Sequence, residues 1–372
     1  MASASASTVA AASSPSSARP VAAGRHIAWF DEVGLGDREQ VGGKGGSLGE
    51  LRRAGIAVPN GYVVCTGAFE RCLAALEQQA PVRAAVAALT AEDLEGITSC
   101  SQALRSRWES APLPPQILGE LTAAHETLLR AHAGQAVAVR SSATTEDSAD
   151  ASFAGLQDTY LWVRDAAAML ERVRHCWASL YSVPSISYRL RHGFPEERVA
   201  MAVVVQVMVD AAAAGVMFTR SPMSGDRSVV TIEGAWGLGS AVVGGEVTPD
   251  HWVIGKITKE ISVREISAKL IQHLPLAAGG VQAVAVEAER QRVPCLTDAQ
   301  LQQLCSIARQ VERHYGRAQD IEWAIDRQSG AILLLQSRPE TVWSARDAAP
   351  LAKGEEDPLM HVMSIFGSRR CR

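Results

Sequence analysis

QDIEWAIDRQSGAILLLQSRP, residues 319–339, reads as two apolar strands around a polar turn, yet Asp320, Glu322, Gln336 and Arg338 interrupt them. Side chains two apart on a strand share a face, so Ile321, Trp323 and Ile325 form one side and Asp320, Glu322 and Ala324 the other. The same rule groups Gln336 with Arg338 and sets Leu335 and Ser337 opposite. With a loop of about five residues centred on Ser329, Glu322 falls opposite Gln336 and Asp320 opposite Arg338, roughly 5 Å apart as cross-strand neighbours are. One face then carries two carboxylates, an amide oxygen and a guanidinium. Such hard oxygens suit Mg²⁺, which takes few protein ligands and fills its shell with phosphate oxygens and water. Arg338 beside the ion offers a planar fork to a phosphate. A solvated face with an Asp320–Arg338 ion pair of little energetic worth fits the same pattern, and the hairpin alone leaves both readings open.

Upstream, LTDAQLQQLCSIARQVERHYG predicts a helix with Thr297 as N-cap, Gln300 completing a capping box and Gly316 as its end. MAVVVQVMV, residues 201–209, has the composition of a strand buried on both faces, and AGVMFT is expected to be its antiparallel return. Glycine-rich turns separate the strands of VVTIEGAWGLGSAVVGGEVTPDHWVI. From Thr66 to about His132 the periodicity is mainly helical, broken at Pro112, Pro114 and Pro115. AVAVR, residues 136–140, is a strand leading into a polar loop and then the strand-like DTYLWV. Mixed helices and strands without a βαβ rhythm give an α+β class.

The chain of 372 residues is 47% hydrophobic and 20% charged, enough for a large core in two or three lobes. A formal net charge of −4 gives no electrostatic footprint for nucleic acid, and no like-charge block suggests a membrane patch. Seven scattered cysteines without a CxxC pair indicate neither a disulfide framework nor a zinc site, which fits a reducing cytoplasm. The Ala/Ser-rich opening makes a poor secretory signal and reads as a disordered tail or an upstream start codon. No apolar run reaches the roughly 20 residues needed to span a bilayer.

VGGKGGSLGEL places Lys44 among glycines, where backbone amides can approach a polyphosphate, but the P-loop spacing fails at Arg38 and Gly45. GAWGLGSAVVGG likewise lacks the GxGxxG spacing of a dinucleotide fingerprint. These stretches, with AVRSSATTEDSADASFAGLQDTYLWV, VVVQVMV, TIEGAWGLGSAVVGGEVTPD and QDIEWAID…LLLQSRPETVW, resemble the ATP-binding domain of phosphoenolpyruvate synthase and pyruvate phosphate dikinase, also found in rifampicin phosphotransferase. The resemblance runs over about residues 26–343.

The resemblance implies an ATP-grasp-like fold whose two lobes close on ATP and Mg²⁺, with a helical subdomain in the N-terminal lobe. The expected division is a tail over 1–25, lobes over 26–205 and 206–343, and an extension over 344–372. By motif, Lys44 and Arg140 would contact phosphates, Gly155 and Thr159 would line the phosphate loop, and Gln206 would sit near the adenine. Glu322 and Gln336 would be metal ligands, Arg338 a phosphate ligand, and Asp320 an outer support. Two positions depart from the family pattern: Leu156 stands where FAGQ has glutamine, and Ser221 stands where FT-x-NP has asparagine.

In multidomain members the ATP domain phosphorylates a histidine in a threonine- and glycine-rich motif, and none of the nine histidines here has that setting. His26, His251 and His361 sit beside apolar residues, and His175, His192 and His314 fall in helical patterns. The arrangement is similar to the β subunit of phenylphosphate synthase, which implies a phosphohistidine carrier on a separate subunit and a small hydroxyl acceptor such as phenol. Two rivals stand beside it: a self-sufficient kinase or ligase acting on a small molecule, and a non-catalytic nucleotide-sensing module.

Overall fold

A computed structural model describes residues 24–144 and 158–344. Most of the expected tail, the loop positions Gly155 and Leu156, and all but the first residue of the extension lie outside the described residues.

The first half of the chain builds an antiparallel sheet. Its strands are β1 (Ile27–Trp29), β2 (Gly61–Val64), β3 (Val137–Ala143), β4 (Thr159–Val163) and β5 (Met201–Val207), in the order β1-β2-β5-β3-β4. Every residue of the central β5 is buried, as its β-branched run predicts. Met201, Val203, Val205 and Val207 face a helical layer, whereas Ala202 and Val204 face a second core. Between β1 and β2 runs the helix α1 (Arg38–Arg53), kinked at Gly42. The glycine-rich stretch around Lys44 is therefore helical rather than a loop.

The helical layer comprises α2 (Thr66–Glu77), α3 (Arg83–Ala87), α4 (Leu94–Ser110), α5 (Pro115–Ala131), α6 (Ala166–Ser179) and α7 (Val183–Arg191). Asp93 and Asp165 cap α4 and α6 by accepting from the amides of Gly96 and Ala168, and Pro115 opens α5 where no amide donor is needed. Phe69 stacks on Trp108 with ring centroids 5.2 Å apart, and Trp108 in turn meets Trp177 and Tyr181.

His125 of α5 is fully buried, and neither ring nitrogen has a hydrogen-bond partner among the described residues. Burial pushes its pKa below the usual histidine value, against weaker opposing pulls from Asp165 and Glu126. The unfolded chain then binds a proton that the folded chain refuses. Stability falls as pH drops below about 6.5, the unfolded value, until the folded pKa is passed. His125→Leu should remove that slope and add about 1–2 kcal/mol by deleting buried unsatisfied groups. Urea midpoints at pH 8 and pH 5.5 check it; an unchanged slope in the variant would assign acid sensitivity elsewhere.

The second half builds another sheet. Its elements are β6 (Ala211–Phe218), β7 (Val229–Trp236), α8 (Ser240–Val243), β8 (Asp250–Gly255), β9 (Ile261–Glu265), β10 (Ile271–Pro275), β11 (Val281–Ala285), α9 (Ala288–Gln291), α10 (Asp298–Tyr315), β12 (Gln319–Asp326) and β13 (Ile332–Pro339). The order is β13-β12-β6-β7-β8-β9, all antiparallel, with β10 and β11 forming a separate hairpin. This corrects one expectation: β6 does not return along β5 but pairs with β12 and β7. The chain crosses from one sheet to the other over residues 208–210.

Thr297 and Gln300 form the predicted capping box of α10, and Gly316 ends it at φ 66°. Lys269 donates to Asp250 at 2.6 Å with both side chains fully buried, tying β8 to the segment entering β10. One apolar core joins both sheets: Val41, Leu48 and Leu51 of α1, with Val63 and Val204, meet Met217, Ile232, Trp252, Trp323 and Leu334, backed by Leu301, Leu304, Ala308 and Val311 of α10. Among the described residues no helix is long and apolar enough to cross a membrane.

Candidate functional site

The five residues 327–331 turn the β12–β13 hairpin. Asp326 sets the turn by accepting from the amide of Ser329 at 2.8 Å and from its hydroxyl at 2.7 Å, and Gly330 supplies a φ of 70°. Beyond the turn Ile325 pairs with Ile332 and Trp323 with Leu334, but then Glu322 pairs with Gln336 and Asp320 with Arg338. Leu335 is thus an extra residue, a β-bulge. The bulge decides the chemistry. Strict alternation back from Ile332 and Leu334, both in the core, would turn Gln336 inward; the inserted residue turns it to the side of Glu322. The expected facing pairs are present, whereas Leu335 leaves the side of Ser337 and packs with Ala324, Leu333 and Ala214.

Arg140 reaches this face from the other sheet. Its Nη2 donates to Oε2 of Glu322 at 3.1 Å and also to Oε1 of Gln336, while Nη1 donates to the carbonyl of Leu335 at 3.0 Å. The guanidinium is buried, and its Nε has no partner among the described residues. Across β3 and β5 Arg140 pairs with Val204 and Ala138 with Gln206, so Arg140 and Gln206 are diagonal neighbours on one face. Thr159 lies directly opposite Arg140 on β4. Gln206 is buried and donates to the carbonyl of Pro59 at 3.4 Å, away from the arginine cluster. Arg338 pairs with Asp320 at 3.3 Å, with 48% of its side chain exposed.

Lys44, buried, follows the Gly42 kink in α1. Gly45 beside it donates to Oγ of Ser142, two residues beyond Arg140 on β3, at 3.3 Å. Farther along α1, Ser47 donates to the carbonyl of Ser337 at 2.6 Å. Helix α1 is therefore fastened both to the strand bearing Arg140 and to the hairpin bearing Gln336 and Arg338. Ser221 closes its own turn, its amide donating to Asp226 O at 2.9 Å and its Oγ accepting from Ser224 N at 3.1 Å. Its departure from the family pattern is absorbed locally.

Sequence reasoning did not single out Ser47, Ser142 or the Leu335 carbonyl. It also passed over the apolar patch of Val209, Ala211, Ala214, Leu238 and Ala324, which lies on the Glu322 side of the hairpin beside the crossover between sheets. The alanine run 211–214 was the available signal, because small side chains let Leu238, Leu333 and Leu335 pack close over the strand.

The donor set fits a magnesium ion. One guanidinium nitrogen bonds both Glu322 and Gln336, so their oxygens already converge on a single cationic group. No group of three or more His, Cys, Asp or Glu that could hold a metal occurs among the described residues, so an ion here depends on ligands from water and phosphate, as Mg²⁺ does. The unsatisfied Nε of Arg140 offers one further donor toward an anion. Several histidines are engaged with carboxylates: His26 with Glu120 at 3.0 Å, His251 with Glu233 at 3.4 Å and His314 with Glu50 at 2.7 Å.

This site lies in a recognisable kind of chain. Residues 38–357 match the family model of the pyruvate phosphate dikinase AMP/ATP-binding domain, and the chain belongs to that family. Among curated relatives, a probable phosphoenolpyruvate synthase of Staphylothermus marinus is 36% identical over 349 residues, covering 87% of this chain and 42% of that protein. A rifampicin phosphotransferase of Streptomyces sviceus is 41% identical over 318 residues, covering 85% of this chain and 36% of that protein. The chain thus spans less than half the length of either relative. Among solved structures, D-alanyl-alanine synthetase A of Vibrio cholerae aligns over 65% of this chain and 54% of its own at 14% identity, with a TM-score of 0.23, too low to establish a shared topology.

Proposed function

We propose that the chain binds MgATP between two ATP-grasp-like lobes, residues 26–205 and 206–343, and phosphorylates a histidine on a separate carrier subunit in the cytoplasm. The carrier passes the phosphoryl group to a small hydroxyl acceptor such as phenol. One ATP, one water and one acceptor hydroxyl yield AMP, inorganic phosphate and the phosphorylated acceptor. The observation that carries this reading is the convergence of Arg140, Glu322 and Gln336 from two sheets onto one point.

Glu322 and Gln336 would hold magnesium, which supplies charge neutralisation at the transferring phosphoryl group. Lys44, Arg140 and Arg338 would grip phosphate oxygens, with Asp320 orienting Arg338. Thr159, with Gly155, would complete the phosphate loop. Gln206, on the strand that leads into the crossover, would sit near the adenine.

The test incubates the protein with β- or γ-³²P-labelled ATP and a candidate carrier. The expected result is acid-labile, base-stable label on a carrier histidine from the β position, with AMP as the nucleotide product. ATP binding without any labelled histidine would rule the carrier out, and label passing straight to a small molecule in the absence of a partner would establish the self-sufficient kinase instead.

A further inference from the structure

The guanidinium of Arg140 occupies the point where the oxygens of Glu322 and Gln336 converge. It arrives from β3, whereas both acceptors lie on the β12–β13 hairpin of the other sheet, so this contact bridges the two halves. We propose that Arg140 couples metal binding to nucleotide binding: it serves as the counter-ion of the metal ligands until a phosphate offers it a new partner. The proposal rests on the reading of Glu322 and Gln336 as metal ligands.

A divalent cation cannot take the point where these two oxygens converge while the positive guanidinium sits there. The cation must first displace Arg140. In the absence of nucleotide the displaced side chain has nowhere to go, because it is buried and its Nε already lacks a partner. A desolvated, unpaired guanidinium is costly, so free metal binds weakly. With a nucleotide present, the phosphate oxygens accept Nε and Nη of Arg140 in a forked geometry, and the same displacement satisfies both partners. Metal and nucleotide then favour one another, and linkage requires that each raise the other's affinity by the same factor. The carbonyl of Leu335, which accepts Nη1 at 3.0 Å, belongs to the bulge residue. The irregularity that aims Gln336 thereby also helps to hold the arginine in place.

Mn²⁺ serves as the probe, its free concentration read by electron paramagnetic resonance, with β,γ-imido-ATP as the nucleotide. For the unaltered protein, Mn²⁺ alone should bind weakly and tighten strongly with the nucleotide. Arg140→Gln should bind Mn²⁺ alone at least about tenfold more tightly, because the competing charge is gone, and the nucleotide should no longer add the same factor. Arg140→Lys, whose compact ammonium cannot fork across three acceptors, should shift in the same direction by less and serves if the glutamine variant fails to fold. Glu322→Gln with nucleotide present is the control for the metal reading itself. If it abolishes nucleotide-assisted Mn²⁺ binding while neither Arg140 variant tightens Mn²⁺ alone, the coupling is overturned and the metal site stands. If it leaves Mn²⁺ binding unchanged, both the metal site and the coupling fail.

Discussion

Glu322→Gln is expected to lower the proposed phosphoryl transfer from MgATP by about 10³-fold, the scale on which a lost charge-stabilising group acts, while the protein still folds. The substitution keeps the shape and one acceptor oxygen, so the β12–β13 pairing and a bond from Arg140 can persist. It removes the negative charge, and a neutral amide oxygen attracts a divalent ion less strongly than a carboxylate does. Glu322 is partly exposed, with 30% of its side chain accessible, but its charge partners the buried Arg140, so stability should fall by about 1–3 kcal/mol, with one hydrogen bond kept. Trp323, the next residue, makes the opposite case. It is fully buried among Ile232, Trp252 and Leu334, and Trp323→Ala should cost about 3–5 kcal/mol through a cavity. Circular dichroism melts and turnover on the two variants separate the faces of one strand. Loss of the folded state in Glu322→Gln would make that residue structural and withdraw it from the site.

The hairpin was legible because two local rules act on the same few residues: side chains alternate, and a five-residue turn fixes which ones face each other. The bulge was not, because nothing in ILLLQ marks which residue will fall out of the ladder; that is settled by where Ile332 and Leu334 must sit in the shared core. The β5–β6 connection was misread for a similar reason. Two adjacent apolar runs with a short polar break look like a hairpin, but hydrogen-bond partners are chosen by the whole sheet, and here β5 already has β2 and β3 on its two sides.

The glycine-rich helix is the deepest case, since propensity argues against a helix that contains Gly42, Gly43, Gly45, Gly46 and Gly49. Close packing prevails. A side chain at Gly45 would stand 2.9 Å from Val63 Cγ2 of the sheet, and one at Gly49 would stand 2.3 Å from the carbonyl of Val33 in the segment before the helix, so only a bare backbone can sit this near both. The same closeness brings Lys44 to the strand that carries Arg140. Sequence motifs located the charged residues, but the distances among them are set by glycines whose role is visible only in three dimensions.

Gly42→Ala follows from that packing and should be the most damaging single methyl in the site. Gly42 has φ 69° and ψ 178°, a conformation open essentially to glycine alone, which costs an alanine about 1–3 kcal/mol. Its new Cβ would also lie 2.1 Å from the backbone oxygen of Ser142 and 2.3 Å from its Oγ. That hydroxyl cannot simply rotate aside, because it donates to Val41 O at 3.0 Å and accepts from Gly45 N at 3.3 Å, holding the kink closed. Relief requires α1 and β3 to part, at a further cost of about 1–3 kcal/mol for overpacking. Parting them separates Lys44 from Arg140, and a displacement of about 1 Å at a phosphate grip is enough for a loss near 10²-fold in transfer. Gly119→Ala provides the contrast: it lies in α5 with nothing within 4 Å of an added Cβ, and should stabilise by about 0.5–1 kcal/mol. Melting both variants alongside ATP titrations checks the pair. A Gly42→Ala protein that melts like the parent would mean the α1–β3 contact yields easily, and the spacing of Lys44 and Arg140 would then need some other cause.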